Sequence, residues 1–188
     1  MQVPKEEVRE RILAAARTEF SAKGFKKASM RTIAARARVT PGNIYAYFPG
    51  KENLFAAIVT PVAEAIRRIY DQDFQLQGGA LVLSQISEEI VTLFLHHGSD
   101  FLILLDGSAG SSYELTREQL RQIIVRRIEE YIFPRFKAPA RDSLLAQAWA
   151  GALLEGLLTL LNGAAGDEQR LRCTVSTFLN RMFPEDLY

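Results

Sequence analysis

Apolar residues recur along this chain at intervals of three and four, and no stretch alternates cleanly enough to make a half-buried strand. The pattern predicts an all-α protein. Val8, Ile12, Ala16 and Phe20 fall every fourth residue, joined by Leu13, so a first helix is expected from about Lys5 to Lys23, with Gly24 as its left-handed stop. Ser29 can cap a short second helix containing Ile33 and Ala34. Thr40 followed by Pro41 starts a third, which ends before Pro49-Gly50.

From Lys51 a longer apolar stripe (Leu54, Phe55, Ile58, Val59, Val62, Ile66, Ile69, Tyr70) predicts a fourth helix, with a kink expected at Pro61 because proline removes a backbone donor. After Gly78-Gly79 come a helix over about Ala80 to His97 and a separate short apolar piece over Asp100 to Leu105. Asp106 to Ser111 reads as a small-residue loop. Ser111 with Glu114, and Thr116 with Gln119, fit capping boxes for a helix running to about Phe133, before Pro134. Two more helices, Arg141 to Asn162 and Asp167 to Phe183, are separated by Gly163-Ala164-Ala165-Gly166. The expectation is about nine helices: a three-helix head over 1–50 and a larger helical body over 51–188.

The head carries the candidate chemistry. Residues 29–51 read as two short helices around a tight turn at Ala37 to Val39, the spacing of a helix-turn-helix. In that motif the second helix enters the major groove while the first braces it across the backbone. Stepping 100° per residue from Pro41 puts Ile44 and Phe48 on one side with Pro41, and Gly42, Asn43, Ala46 and Tyr47 on the other. Asn43 has a donor and an acceptor side by side, as bidentate contact with adenine requires, while Gly42 and Ala46 keep the helix slim. Tyr45 lies near the buried edge, its ring packed and its hydroxyl alone reaching outward. Ser29 and Thr40 offer hydroxyls to backbone phosphates, Arg31 and Arg38 flank the turn, and Lys51 opens a helix where a bound phosphate would suit it.

Charge changes the picture by its distribution. The whole chain sums to +1, yet residues 1–51 hold 11 Lys/Arg against 4 Asp/Glu, a net of +7, and the rest nets −6. A basic head on an acidic body suits a protein that presents one end to a polyanion, and two such heads would bring +14.

These residues together (Thr32-Ile33-Ala34, Ala37-Arg38-Val39-Thr40, and Ile44-Tyr45-Ala46-Tyr47-Phe48-Pro49-Gly50-Lys51-Glu52-Asn53-Leu54) resemble the DNA-binding head of a TetR-type transcriptional regulator. The likeness covers about Val8 to Leu54; the rest agrees only in length and helical layout. It implies a homodimer whose heads bind successive major grooves of a near-palindromic operator, and a C-terminal ligand-binding and dimerisation domain that releases the DNA on binding a small effector. It also implies DNA contacts at Arg31, Thr40, Pro41, Gly42, Asn43, Tyr45, Tyr47 and Lys51. The family usually has glycine where this chain has Arg38. A non-glycine residue in a left-handed conformation costs on the order of 1 kcal/mol, so either the turn differs here or Arg38 offsets the strain by binding phosphate.

In the body, the 141–162 helix is apolar nearly all round and needs cover on most sides. Ala148, Ala152 and Gly156 make a small-residue stripe, and the last helix adds Val175, Phe178, Leu179 and Met182; these two helices and their copies are expected to form a four-helix dimer interface. Phe74, Phe94, Phe101, Tyr113, Trp149 and Glu155 are candidate effector-pocket residues. His96 and His97 are adjacent and diverge on a helix, so no metal site is expected, and no cofactor. Lone Cys173 reads as a buried small hydrophobe, and the absence of cysteine pairs and of an export signal points to the cytoplasm. Leu144 to Leu161 is the one membrane-like stretch; Glu155 near its middle argues against spanning.

An enzyme is not expected. Gly107-Ser108-Ala109-Gly110 lacks the first glycine of a nucleophile elbow, position 106 being Asp, and there is no phosphate-binding loop. The alternative to a ligand-responsive regulator is a DNA-binding architectural or interaction protein with a filled core and no effector.

Overall fold

The computed structural model describes residues 5–71, 79–135, 142–164 and 166–183. These form eight α-helices: α1 (Lys5–Lys27), α2 (Met30–Ala37), α3 (Pro41–Tyr47), α4 (Lys51–Asp71), α5 (Gly79–Asp106), α6 (Thr116–Arg127), α7 (Ser143–Gly163) and α8 (Glu168–Met182). The expected count of nine falls to eight because the apolar piece at 100–105 is the last part of α5. The two pieces meet at His97, whose φ of −135° and ψ of 21° break the helical geometry without ending the hydrogen-bonded run.

Two compact units emerge: Met1–Ile66 with Ser99–Thr116, and Arg67–Gly98 with Arg117–Tyr188. The boundary expected at 50/51 falls inside the first, because the start of α4 and the distant 99–116 segment pack against α1.

The first unit is built on α1, whose stripe Ile12, Leu13, Ala16 and Phe20 is buried. Gly24 interrupts it at φ 67°, ψ 168°, a conformation open to glycine. Just beyond the break, the Phe25 amide donates to the Gly107 carbonyl at 2.7 Å. A side chain at Gly24 would come within 3.3 Å of that same carbonyl oxygen, so the two backbones meet where neither has a β-carbon. Phe20, Phe25 and Phe55 close the core edge-on and stacked, with ring centroids 5.0 to 6.2 Å apart. Phe20 and Phe55 are fully buried, each contributing about 2 to 3 kcal/mol of hydrophobic stabilisation.

In the second unit α6 does not continue as one α-helix to Phe133. It widens into a π-helical turn at Ile128–Ile132 and then a 3-10 turn at Phe133–Arg135. Pro134 lacks the N–H that the Glu130 carbonyl would have accepted, and the Phe133 amide reaches back five residues to the Ile128 carbonyl. Val125, Ile128, Phe133, Ala146 and Ala150 form one buried cluster in it, with Trp149 packed against them. The Asp142 and Asp167 carboxylates cap α7 and α8 by accepting from the amides of Leu144 (2.8 Å) and Arg170 (2.9 Å).

Among the described residues α7 is the one helix long and apolar enough to cross a membrane. It nevertheless packs Ala146, Ala150, Leu154, Leu157, Leu158 and Leu161 into its unit, and its Glu155 is ion-paired with Arg117. Cys173 is exposed rather than buried. The buried stripe of α8 is Leu171, Val175 and Leu179, and position 173 lies about 200° from 171 around the helix.

Candidate nucleic-acid interface

The helix-turn-helix forms from local capping. Ser29 Oγ accepts from the Thr32 amide at 3.4 Å to start α2, and Thr40 Oγ1 accepts from the Asn43 amide at 3.2 Å to start α3, with Pro41 at its first position. A hydroxyl that accepts at a cap keeps its own O–H free to donate outward. Thr40 is exposed and Ser29 half-buried.

Arg38 ends α2 at φ 56°, ψ 44°, the only non-glycine residue with positive φ among the described residues. The turn therefore has the left-handed geometry that glycine would take without cost, and the first alternative left by the sequence, a different turn, does not hold. The strain is on the order of 1 kcal/mol.

α3 presents one face. Ile44 is fully buried and Phe48 nearly so, anchoring it, while Gly42, Asn43 and Ala46 are exposed. Three positions differ from the helical-wheel expectation. Tyr45 is 50% exposed rather than packed, and Tyr47 is half-buried rather than fully outward; Pro41, expected on the inner side, is exposed. The wheel fails by this much because α3 has only seven residues and rests on the core mainly through Ile44 and Phe48. A Cβ at Gly42 would meet only Thr40 Oγ1, at 3.8 Å, so the fold itself does not require glycine there. Arg31 is exposed on the first turn of α2.

Lys51 is placed differently from its expected role. Its ammonium donates to the carbonyls of Phe25 (2.7 Å), Lys26 (3.4 Å) and Ala28 (3.3 Å), and lies 4.5 Å over the Phe25 ring. All three of its N–H groups meet carbonyls at the end of α1 and just beyond it, so Lys51 braces the head from within.

Two further residues hold the site together and were not singled out from sequence. Glu19 is 1% exposed; its carboxylate accepts from Lys23 Nζ at 2.8 Å and from the Ser29 amide at 3.3 Å, fixing the backbone where α2 begins. The Lys23 hydrogen bond, against the opposing cost of burial, holds its pKa below the ordinary carboxylate value, with the Ser29 amide adding to the effect. The signal was present: Glu19 continues the stripe of Ile12, Ala15 and Ala16. Because the folded pKa is depressed, the stabilisation is full above the unfolded carboxylate range and is lost as pH falls through the folded value. Glu19→Gln should therefore be less stable than the parent at pH 7, with the gap closing below about pH 4; a gap constant across denaturation curves from pH 7 to pH 3 would contradict this.

The second is Asp100, 6% exposed, which receives Arg17 Nε at 2.8 Å and Nη2 at 3.1 Å. Nearby, Glu52 accepts from the Ser112 amide (2.9 Å) and hydroxyl (2.6 Å), and the Thr60 and Tyr113 hydroxyls are 2.7 Å apart.

These pairings revise the charge argument. The compact first unit includes Glu52, Glu64, Asp100, Asp106 and Glu114, so it holds 11 basic against 9 acidic residues, a net of +2 rather than +7. The usable positive field is more local. Residues 20–51 contain seven Lys/Arg and no acid; Lys23, which pairs with Glu19, and Lys26, Lys27, Arg31, Arg36 and Arg38 are exposed.

Of the candidate pocket residues, Phe101 and Tyr113 belong to the first unit and Phe94, Trp149 and Glu155 to the second, while Phe74 lies outside the described residues. Trp149 stands edge-on to Phe133 (6.0 Å) and Phe183 (6.1 Å). Of the expected interface residues, Val175 and Leu179 are buried within the chain at 0% and 2% exposure and offer no surface to a partner. Gly156 lies under the Phe178 ring, where a Cβ would come within 2.2 Å. Ala148 and Ala152 remain exposed, Met182 half-buried.

Comparison with known proteins agrees with this geometry. Residues 12–58 match the model of the bacterial regulatory proteins of the tetR family. The HTH-type transcriptional regulator UidR of Escherichia coli (strain K12) is 44% identical over 59 residues, covering 31% of this chain and 30% of that protein. The match thus spans under a third of that relative's length. An HTH-type transcriptional regulator of Mycobacterium tuberculosis (strain ATCC 25618 / H37Rv) is 28% identical over 153 residues, 77% of this chain and 68% of the relative. The crystal structure of NalD, the secondary repressor of the MexAB-OprM multidrug efflux pump in Pseudomonas aeruginosa, shares the fold at TM-score 0.60 and 22% identity, over 96% of both chains. These are regulators rather than enzymes. The head, residues 12–58, thus matches the tetR family of bacterial regulatory proteins, and the chain as a whole shares the helical fold of NalD.

Proposed function

We propose that the protein is a ligand-responsive transcriptional repressor that works in the cytoplasm, binding a near-palindromic DNA operator as a homodimer and leaving it when a small effector binds. The observation that carries the DNA reading is α3. Its inner face is anchored by Ile44 and Phe48, and its outer face offers Gly42, Asn43, Tyr45 and Ala46 beside a 32-residue stretch free of acids. Arg31, Ser29, Thr40, Pro41 and Tyr47 flank that face and are assigned to backbone and groove-edge contacts.

The dimer reading rests on α7, where Leu144 is 72% exposed and Ala148 and Ala152 are open to solvent, a surface slim enough for close approach of a second helix. Effector binding is assigned to the second unit, whose Trp149, Phe133 and Phe183 supply aromatic surface.

The test is selection of bound duplexes from random DNA. A recurrent two-fold site is expected, and Asn43→Ala should lose about 1 to 3 kcal/mol of discrimination at one adenine in each half. Failure to enrich any sequence would overturn the reading. Compounds that release the selected duplex would separate a sensor from an architectural DNA-binding protein.

A further inference from the structure

We infer that Arg38 clamps a backbone phosphate of the bound DNA, a contact that the left-handed turn is strained to hold. The inference rests on the DNA-binding reading above and concerns a residue at a place where the family usually has glycine.

Four observations converge. Arg38 alone among the described non-glycine residues adopts positive φ, at 56°, although glycine would hold the same turn without a side-chain clash. The turn is completed entirely by backbone, the Arg38 amide donating to the Ala34 and Ala35 carbonyls and the Val39 amide to the Ala34 carbonyl at 3.0 Å. The side chain therefore adds nothing to the cap. It is exposed, and among the described residues its guanidinium has no hydrogen-bond or ion-pair partner. Arg9, Arg17 and Lys23 in the same head are each paired with a carboxylate, and Lys51 with carbonyls. Finally, Arg38 lies two residues before Thr40, the cap of the helix whose outer face is free to enter a groove, in a stretch where no acid competes for it. A backbone outlier that nothing inside the molecule offsets indicates a function outside it. A guanidinium is suited to phosphate because its planar fork donates two parallel hydrogen bonds.

Phosphate contact and base contact leave different traces. A phosphate contact weakens binding to every sequence and reduces the salt dependence, whereas a base contact weakens only the selected site. The full-length protein and three variants would be titrated against a selected duplex and a mixed-sequence duplex of equal length, over a range of salt concentrations. Arg38→Gln keeps the strain and removes the charge; it should bind both duplexes about tenfold more weakly, with the slope of log K against log salt smaller by about 0.9 per head. Arg38→Gly should show the same binding loss together with a melting temperature higher by a few degrees. Arg38→Lys should retain the slope. Wild-type affinity and slope for Arg38→Gln on both duplexes would overturn the proposal, as would a loss confined to the selected duplex. If the parent itself binds neither duplex, the DNA-binding reading fails, a result distinct from both.

Discussion

Arg17→Ala should destabilise the protein by about 2 to 3 kcal/mol, seen as a melting temperature lower by roughly 5 to 10 °C. The carboxylate left behind, that of Asp100, is 6% exposed and would lose both of its guanidinium hydrogen bonds, at 2.8 and 3.1 Å. An unpaired carboxylate buried to that extent is the costly outcome; the pair itself contributes less than its removal costs, because Arg17 is 36% exposed and screened by water. The double variant Arg17→Met with Asp100→Leu should therefore recover most of the loss, and a double variant as unstable as Arg17→Ala would refute the explanation. The functional consequence follows from position. α1 supports α2, and Asp100 stands three residues beyond the break in α5 at His97. Loosening the pair should weaken DNA binding without changing which sequence is preferred.

Lys51→Met should be nearly as severe, costing about 2 to 3 kcal/mol, since hydrogen bonds to charged groups are among the stronger ones and three carbonyls lose their ammonium at once. Two measurements decide what Lys51 does. With its ammonium bound to Phe25, Lys26 and Ala28, the variant should melt earlier but, at temperatures where both proteins are folded, retain the parent's salt dependence of DNA binding. The direct phosphate contact that the sequence motif implies would give the reverse: normal stability and a salt slope smaller by about 0.9 per head.

Much of the fold was legible because helices are specified by neighbours three and four residues apart. The caps Ser29 and Thr40, the break at Gly24 and the anchoring pair Ile44 and Phe48 are local features, and each holds in three dimensions. The turn at Arg38 was likewise local enough to be posed as an alternative, and its φ of 56° answers it. The less legible parts share one cause. Tyr45 and Tyr47 exchange degrees of exposure because a seven-residue helix is oriented by what it rests on, not by its own period. Val175 and Leu179, read as a surface for a second chain, are covered by their own chain, and Cys173 on the opposite side of α8 is exposed. An apolar stripe shows that a helix face is covered without showing by which chain.

The sequence by itself determined the helical class, the helix-turn-helix and its buried anchors Ile44 and Phe48, since these depend on periodicity, capping and composition within a few turns. Only the tertiary structure decided which charges remain available to a partner. Arg17 meets a carboxylate 83 residues away and Lys51 meets carbonyls 23 to 26 residues back, so two cations of the head are committed to holding it together. The 99–116 segment brings three acids into the same compact unit. Charge is additive along a chain, but its field depends on distance and burial, and those are set only when remote segments pack.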